Sequence, residues 1–301
     1  NTTPYVNVIS RCIKRSFLAG QDRSTGKDYS HRRQWILDKI NFLSTMFAID
    51  IAAYAIMSNH YHLVLKVDKS RADSWPTEEV ARRWMLVYKG HPIVDKFLKN
   101  QPLDPGEQLG FSRCISLWRS RLYDISWFMK ILNESVSRQA NTEDNCKGHF
   151  WESRFKSQSL LDETAILSCM VYVDLNPIRA GMCDSLEDSE FTSIQERIQH
   201  LEAFKQQQNS AFTEQEEIKA PQPKRLLPFN AKDFLVGIEF DFIDYLQLVE
   251  YTGQCIHPNK RGFIPEDNPS ILKNLNIDEA EWLLLCQEFS RYFGNFASMQ
   301  Q

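Results

Sequence analysis

Apolar and polar side chains alternate from Val6 to Ile13, the mark of a β-strand, whose successive side chains face opposite sides. From Tyr29 to Met46 the apolar positions recur at helical spacing behind a basic start. The run from Ile49 to Val67 predicts a hairpin. One strand begins near Phe47 to Tyr54, the chain turns at Ser58-Asn59, and His60 to Val67 returns. Thr77 to Tyr88 predicts a helix, opened by Trp75-Pro76-Thr77 with Glu78 and Glu79 in its first turn. Residues 89 to 112 are rich in Gly, Pro and polar groups and predict a loop. Ile115 to Gln139 predicts one longer helix whose stripe of Trp118, Leu122, Ile125, Phe128, Met129 and Leu132 belongs in a core. Arg154 to Leu160 predicts a strand, and Glu163 to Leu175 a helix with an acidic opening at Asp162-Glu163-Thr164. Pro177 biases Asn176 away from helical geometry and marks that helix's end. The fold class expected is α+β, an antiparallel sheet backed by helices.

Residues 200 to 222, with Gln206-Gln207-Gln208 and the acidic stretch Glu214 to Glu217, suggest an exposed helix end and a linker. Phe242 to Tyr251 and Ile277 to Phe293 then suggest amphipathic helices, with a basic turn at Pro258-Asn259-Lys260-Arg261-Gly262. The organisation expected is a domain over residues 1–200 with a helical insertion at about 70–145, a linker over 201–225, and a mostly helical region over 226–301. A small helical bundle capping the first domain, with Trp282, Phe289 and Tyr292 as its core, accounts for that last region. Binding of a hairpin stem is its functional alternative.

Hydrophobic residues make up 43% of the 301, enough for a large core, and no apolar run approaches a membrane span. No secretion signal is evident at the N-terminus, although a first residue other than Met leaves room for an upstream portion. The seven cysteines are scattered and lack C-x-x-C spacing, which points to reduced thiols in a cytoplasm and not to a disulfide scaffold or zinc ribbon. A net charge of −4 at first argues against nucleic acid, but its distribution changes the picture. Residues 1 to 35 carry seven Lys and Arg against Asp22 and Asp28, 7 − 2 = +5. Arg154 and Lys156, two apart in a predicted strand, would share a face. With Arg11 they are candidate phosphate contacts. Arg119, Arg121 and Lys130 lie on the helical insertion, where a solvated surface explains them equally well.

Candidate chemistry enters at His60-Tyr61-His62. On a strand His60 and His62 project together while Tyr61 faces away, a ready pair of metal ligands. The pattern also occurs by chance on half-exposed strands. Farther on, Tyr172 and Asn176 stand four apart on one helical face, a hydroxyl nucleophile beside an amide oxygen. The ordinary alternative is a core tyrosine and a helix stop. His31, His91, His149, His200 and His257 show no ligand spacing, and His149 suits a structural role beside Trp151.

Three ordered blocks carry a resemblance. They are Ala55-Ile56-Met57-Ser58-Asn59-His60-Tyr61-His62-Leu63-Val64-Leu65, Gly148-His149-Phe150-Trp151-Glu152-Ser153-Arg154-Phe155-Lys156-Ser157, and the stretch from Tyr172 through Asn176-Pro177-Ile178-Arg179-Ala180-Gly181 to Met182. Together they resemble the HUH single-tyrosine transposases of the REP-associated type, over about residues 5 to 195. The resemblance implies an RRM- or ferredoxin-like HUH domain. His60 and His62 match its metal pair, Tyr172 its nucleophile, and Asn176 the position of a third ligand that is often glutamine in relatives. Tyr61 stands where the family usually has a bulky apolar residue, and the shorter Asn176 is a departure. The implied cofactor is Mg²⁺ or Mn²⁺. The implied partner is single-stranded DNA with a REP-like hairpin, bound by a monomer or homodimer associated with the nucleoid. The implied reaction is cleavage and strand transfer through a 5′-phosphotyrosine bond. Other readings are HUH chemistry in replication or plasmid transfer, a domesticated hairpin-binding regulator without cleavage, and a hydrolase with a zinc-type H-x-H site.

Overall fold

Four strands form one antiparallel sheet in the order β2-β3-β1-β4: β1 (Tyr5–Arg11), β2 (Ile49–Ile56), β3 (His60–Val67) and β4 (Lys156–Leu160). The computed structural model describes residues 4–13, 18–22, 26–208, 222–229, 237–256, 272, 277–287 and 289. Lys14, Arg15 and Arg23 of the basic N-terminal stretch, Glu214 to Glu217, the turn at Pro258 to Gly262, and Tyr292 lie outside the described residues.

Register follows the apolar pattern, because residues directly opposite across a ladder share a face. Val8, Tyr61, Leu63 and Leu65 pack toward one core, while Tyr5, Val64, Leu160, Ala53 and Ala55 pack toward another. A bulge between Ile51 and Ala53 keeps both runs of β2 on their proper sides. The hairpin turns at Ser58-Asn59 as expected, with Met57 N–H donating to the His60 carbonyl at 2.8 Å.

On the first face lie α1 (Arg32–Met46) and α6 (Ile125–Glu143). Ile36, Ile40 and Leu43 form the buried stripe of α1. With β1, α1, β2, β3, α6 and β4 in chain order, and strands in the order 4-1-3-2 when read from the β4 edge, the sheet has the ferredoxin-like arrangement. The insertion between β3 and α6 holds α2 (Lys69–Ser74), α3 (Thr77–Val87), α4 (Pro92–Leu98) and α5 (Pro105–Arg121). Two expectations fail here. Residues 89 to 112 are largely helical, because His91-Pro92 and Asp104-Pro105-Gly106-Glu107 are helix starts. Each puts Pro in the first turn, and Asp104 and Glu107 form a reciprocal capping box. The long helix from Ile115 to Gln139 is instead two helices, since Asp124 caps α6 by accepting from the Ser126 N–H at 2.6 Å. Its apolar stripe crosses the break, and Trp118, Leu122, Phe128, Met129 and Leu132 are all buried.

On the second face lie α7 (Glu163–Asp174), α8 (Asn176–Arg179), α9 (Ser193–Gln208), α10 (Phe242–Ile256) and α11 (Glu279–Gln287). Asp162 caps α7, accepting from the Ala165 N–H at 2.8 Å. Every residue from Ala165 to Asp174 is buried, because α7 runs between the sheet and the C-terminal helices. Asn176 departs from expectation: it is itself helical and opens α8, where Pro177 lies in the first turn and its missing N–H costs little. One apolar core joins Tyr5 and Val64 of the sheet to Trp282 and Phe289 near the C-terminus. Residues 222–229 return to the sheet, where Leu227 N–H donates to the Ile51 carbonyl at 2.7 Å and covers the β2 edge. No helix among the described residues is long and apolar enough to cross a membrane.

Asp174 ties these layers together. One carboxylate oxygen accepts from Ser193 Oγ at 2.5 Å and the Ile194 N–H at 3.1 Å, and the other from Tyr245 Oη at 2.6 Å. Burial pushes its pKa from 3.8 up to about 6, against the opposing pull of those hydrogen bonds and of Arg197. Between those values the folded chain keeps a proton that the unfolded chain has released. This contribution to stability is therefore full below pH 3.8 and lost as pH rises through about 6. We expect wild type to lose about 2 kcal/mol between pH 4.5 and 7.5 relative to the variant Asp174→Asn in urea unfolding. Parallel pH profiles for the two would contradict this assignment.

Candidate functional site

Arg11 pairs with His60 across the β1–β3 ladder, Ile9 with His62, and Asn7 with Val64. On the other side of β1, Ile9 pairs with Lys156 and Asn7 with Gln158. These side chains therefore share the sheet face that carries α7. The histidines form an edge-to-face pair, ring centroids 4.9 Å apart at 75°. His62 in turn meets Tyr172 edge-on, 5.6 Å between centroids at 77°. The chain fold thus joins the H-x-H strand to the tyrosine helix as a continuous row of three rings.

His60 is half-buried, and its Nδ1 lies 2.6 Å from Asn59 Oδ1. With the amide oxygen as acceptor, Nδ1 carries the proton and Nε2 keeps a free lone pair, as a metal-ligating imidazole held by an outer partner does. His62 is 3% exposed, and its Nδ1 is buried without a partner. Burial, with Arg11 adding to it, lowers the His60 pKa to about 4. Burial, followed by the charges of His60, Arg179 and Arg11, lowers that of His62 well below the ordinary imidazole value. Both rings are neutral at pH 7, the protonation state a cation requires.

Asn176 is buried, and its amide nitrogen donates to the Tyr172 carbonyl at 3.2 Å, leaving Oδ1 as the free end. No group of three His, Cys, Asp or Glu among the described residues could hold a metal. A third protein ligand would therefore be an amide, hydroxyl or carbonyl. The imidazole pair fits Mn²⁺ better than Mg²⁺, which prefers oxygen.

Tyr172 is only 8% exposed. The Phe289 ring lies 5.5 Å from its ring at 33°, and the Arg179 guanidinium carbon stands 4.5 Å from its centroid. Clefts of about 1000 and 370 Å³ open elsewhere, one beside Trp35, Tyr88 and Arg138, the other beside Leu186, Leu201 and Glu250. Within the row His62 and Tyr172 are thus covered, while His60 is half-buried.

Of the candidate phosphate contacts, Arg11 and Lys156 are exposed on the site face. Arg154 is not in β4. The Cys12–Trp151 bridge and the bond from Glu152 N–H to the Arg11 carbonyl hold residues 151–152 against the end of β1, and the ladder to β4 resumes only at Lys156. Arg154 is exposed in a bend and does not share a strand face with Lys156. His149 is exposed as well, while Phe150 and Trp151 supply the packing.

Sequence reasoning assigned no role to three polar groups. Asn7 is 3% exposed, and its Oδ1 has no partner; Gln158 Nε2 and Arg179 Nη1 are also buried and unpartnered. The signals existed. Asn7 interrupts an apolar strand at an inward position, and Arg179 follows Tyr172 by seven residues, two helical turns.

No protein-family model matches the chain, and no curated protein does. Among solved structures the chain is similar to one described as the REP-associated tyrosine transposase bound to a REP hairpin. The identity is 12%, the TM-score 0.38, and the alignment covers 66% of this chain and 81% of that one. A likeness of that size carries no argument about function, which has to be built from the residues of the site.

Proposed function

We propose that this chain is a metal-dependent nuclease and strand transferase acting on single-stranded DNA beside a hairpin, such as a REP-type palindrome, with Tyr172 as nucleophile. The row His60–His62–Tyr172 carries the reading, with two neutral imidazoles beside one phenol. His60 and His62, with Asn176 Oδ1 as third donor, would hold Mg²⁺ or Mn²⁺. Such a cation polarises a non-bridging phosphate oxygen and aligns the phosphorus for in-line attack. Tyr172 Oη forms a bond to phosphorus as the bond from phosphorus to the 3′ oxygen breaks. The phenol loses a proton and the leaving 3′ oxygen gains one. The 5′-phosphotyrosyl bond conserves the energy of the broken linkage, so another 3′-hydroxyl can reverse the step and join new ends. Arg11 and Lys156, on the same sheet face, would position the backbone without reading sequence.

The test is a denaturing gel of labelled hairpins, taken from the DNA flanking the gene, incubated with the full chain and Mn²⁺. A covalent protein–DNA adduct that EDTA prevents is the expected result, and its absence across the panel would sink the proposal. The burial of Tyr172 favours one second reading, a hairpin-binding regulator that no longer cleaves. Phe289 separates the two. On the proposed function the Phe289 ring, packed against that of Tyr172, would move aside as a phosphodiester approaches the phenol. Phe289→Ala should therefore raise the initial rate of adduct formation about tenfold, even as the lost core ring costs about 3 kcal/mol of stability. Tight hairpin binding with no adduct from either protein would favour the regulator.

A further inference from the structure

Among the described residues no acid forms an ion pair with Arg179, which packs on the ring of Tyr172. Its guanidinium carbon lies 4.5 Å from the Tyr172 ring centroid, and its Nη2 donates to the Gln287 carbonyl at 2.6 Å. Its Nη1 is buried with no partner, and no ion pair engages it among the described residues. Some other guanidiniums in the fold are answered by acids, while Arg119 and Arg197 are held by carbonyls. Arg32 meets Glu143 and Asp144 at 2.6 and 2.5 Å, Arg71 meets Asp50 at 2.8 Å, and Arg83 meets Glu79 at 2.6 Å. A partly buried charge with an unsatisfied donor is unfavourable unless something completes it, and the completing group is an anion.

We infer that Arg179 is the anion-binding residue of the site, whose Nη1 takes a non-bridging oxygen of the phosphodiester presented to Tyr172. The inference rests on the proposed role of Tyr172 and adds to it a group that acts on the reacting phosphate. A guanidinium suits this task because its planar fork keeps its charge at any working pH and offers a second donor after the first is engaged. Stacked on the phenol, it also favours negative charge growing on the tyrosine oxygen as the proton departs. Arg179 stands on α8 one turn beyond Asn176, so one short helix would supply both the amide donor and the phosphate clamp. The bland alternative is that Arg179 only ties α11 to α8 through the Gln287 carbonyl.

The experiment compares wild type, Arg179→Ala and Arg179→Lys in single-turnover adduct formation with saturating hairpin DNA and Mn²⁺. Thermal unfolding is recorded for each. Arg179→Ala should slow the covalent step about 100-fold. Arg179→Lys, keeping the charge without the fork, should keep roughly a tenth of the wild-type rate. Guanidinium ion, well below denaturing concentration, should speed Arg179→Ala and leave wild type unchanged, which a merely structural role would not produce. A variant with the wild-type rate overturns the inference, and so does a slow variant that melts early and does not respond to guanidinium. If wild type itself yields no adduct, the proposed function fails, and the anion site is judged separately with inorganic phosphate. Stabilisation of wild type but not of Arg179→Gln by phosphate would uphold the site, and equal shifts would overturn it.

Discussion

Replacing Tyr172 with phenylalanine should abolish the covalent adduct while leaving hairpin binding and the fold essentially intact. The exchange removes one oxygen and keeps the ring that packs against His62, Phe289 and the Arg179 guanidinium. No other described residue has this placement. Tyr54 and Tyr61, the nearby strand tyrosines, are buried toward the opposite core and engaged with Glu196 and Asn133. The loss should be complete on a denaturing gel, and the affinity for hairpin DNA should change less than about threefold, since uniform binding is untouched. Persistence of the adduct in this variant would assign the nucleophile elsewhere.

His62→Ala should produce the second large effect, a loss in adduct rate on the order of a thousandfold, equivalent to about 4 kcal/mol of barrier. The reason is its position. His62 touches both His60 and Tyr172, so its removal would delete one metal donor and break the row at its middle. Because this imidazole is buried with an unpartnered Nδ1, its removal should cost less stability than the loss of an equally buried, fully bonded ring. The check is adduct rate against Mn²⁺ concentration, with a melting curve beside it. A rate within a few-fold of wild type would show that the pair grips no catalytic cation.

Much of this arrangement was readable from the residues. Alternation in β3 placed His60 and His62 on one face with Tyr61 opposite, because that parity is fixed by the pleat and anchored by Leu63 and Leu65 in the other core. The tyrosine helix was legible from its Asp162 opening and its apolar run. The insertion was misread because Gly and Pro in residues 89 to 112 punctuate helix starts, and local composition does not distinguish a start from a loop. The strand assigned to Arg154 failed because its neighbours at 151–152 pair with the end of β1, a contact that no local pattern encodes. Burial of Tyr172 stood only as the ordinary alternative, and its cover was invisible, since Phe289 comes from far along the chain and only packing brings it there. The unpartnered Asn7, Gln158 and Arg179 share that cause.

The setting of α7 has a consequence for how copies of this chain cooperate. A helix sealed from Ala165 to Asp174 between the sheet and the C-terminal helices is not an arm that can be lent to a neighbour. Withdrawing its large apolar side chains, at about 2 kcal/mol each, would use up most of an ordinary domain's stability. In this conformation each phenol lies beside the histidines of its own polypeptide, and under the proposed chemistry it would act with them. Two cuts on one DNA molecule would then need two polypeptides working side by side, or one that resets between cuts.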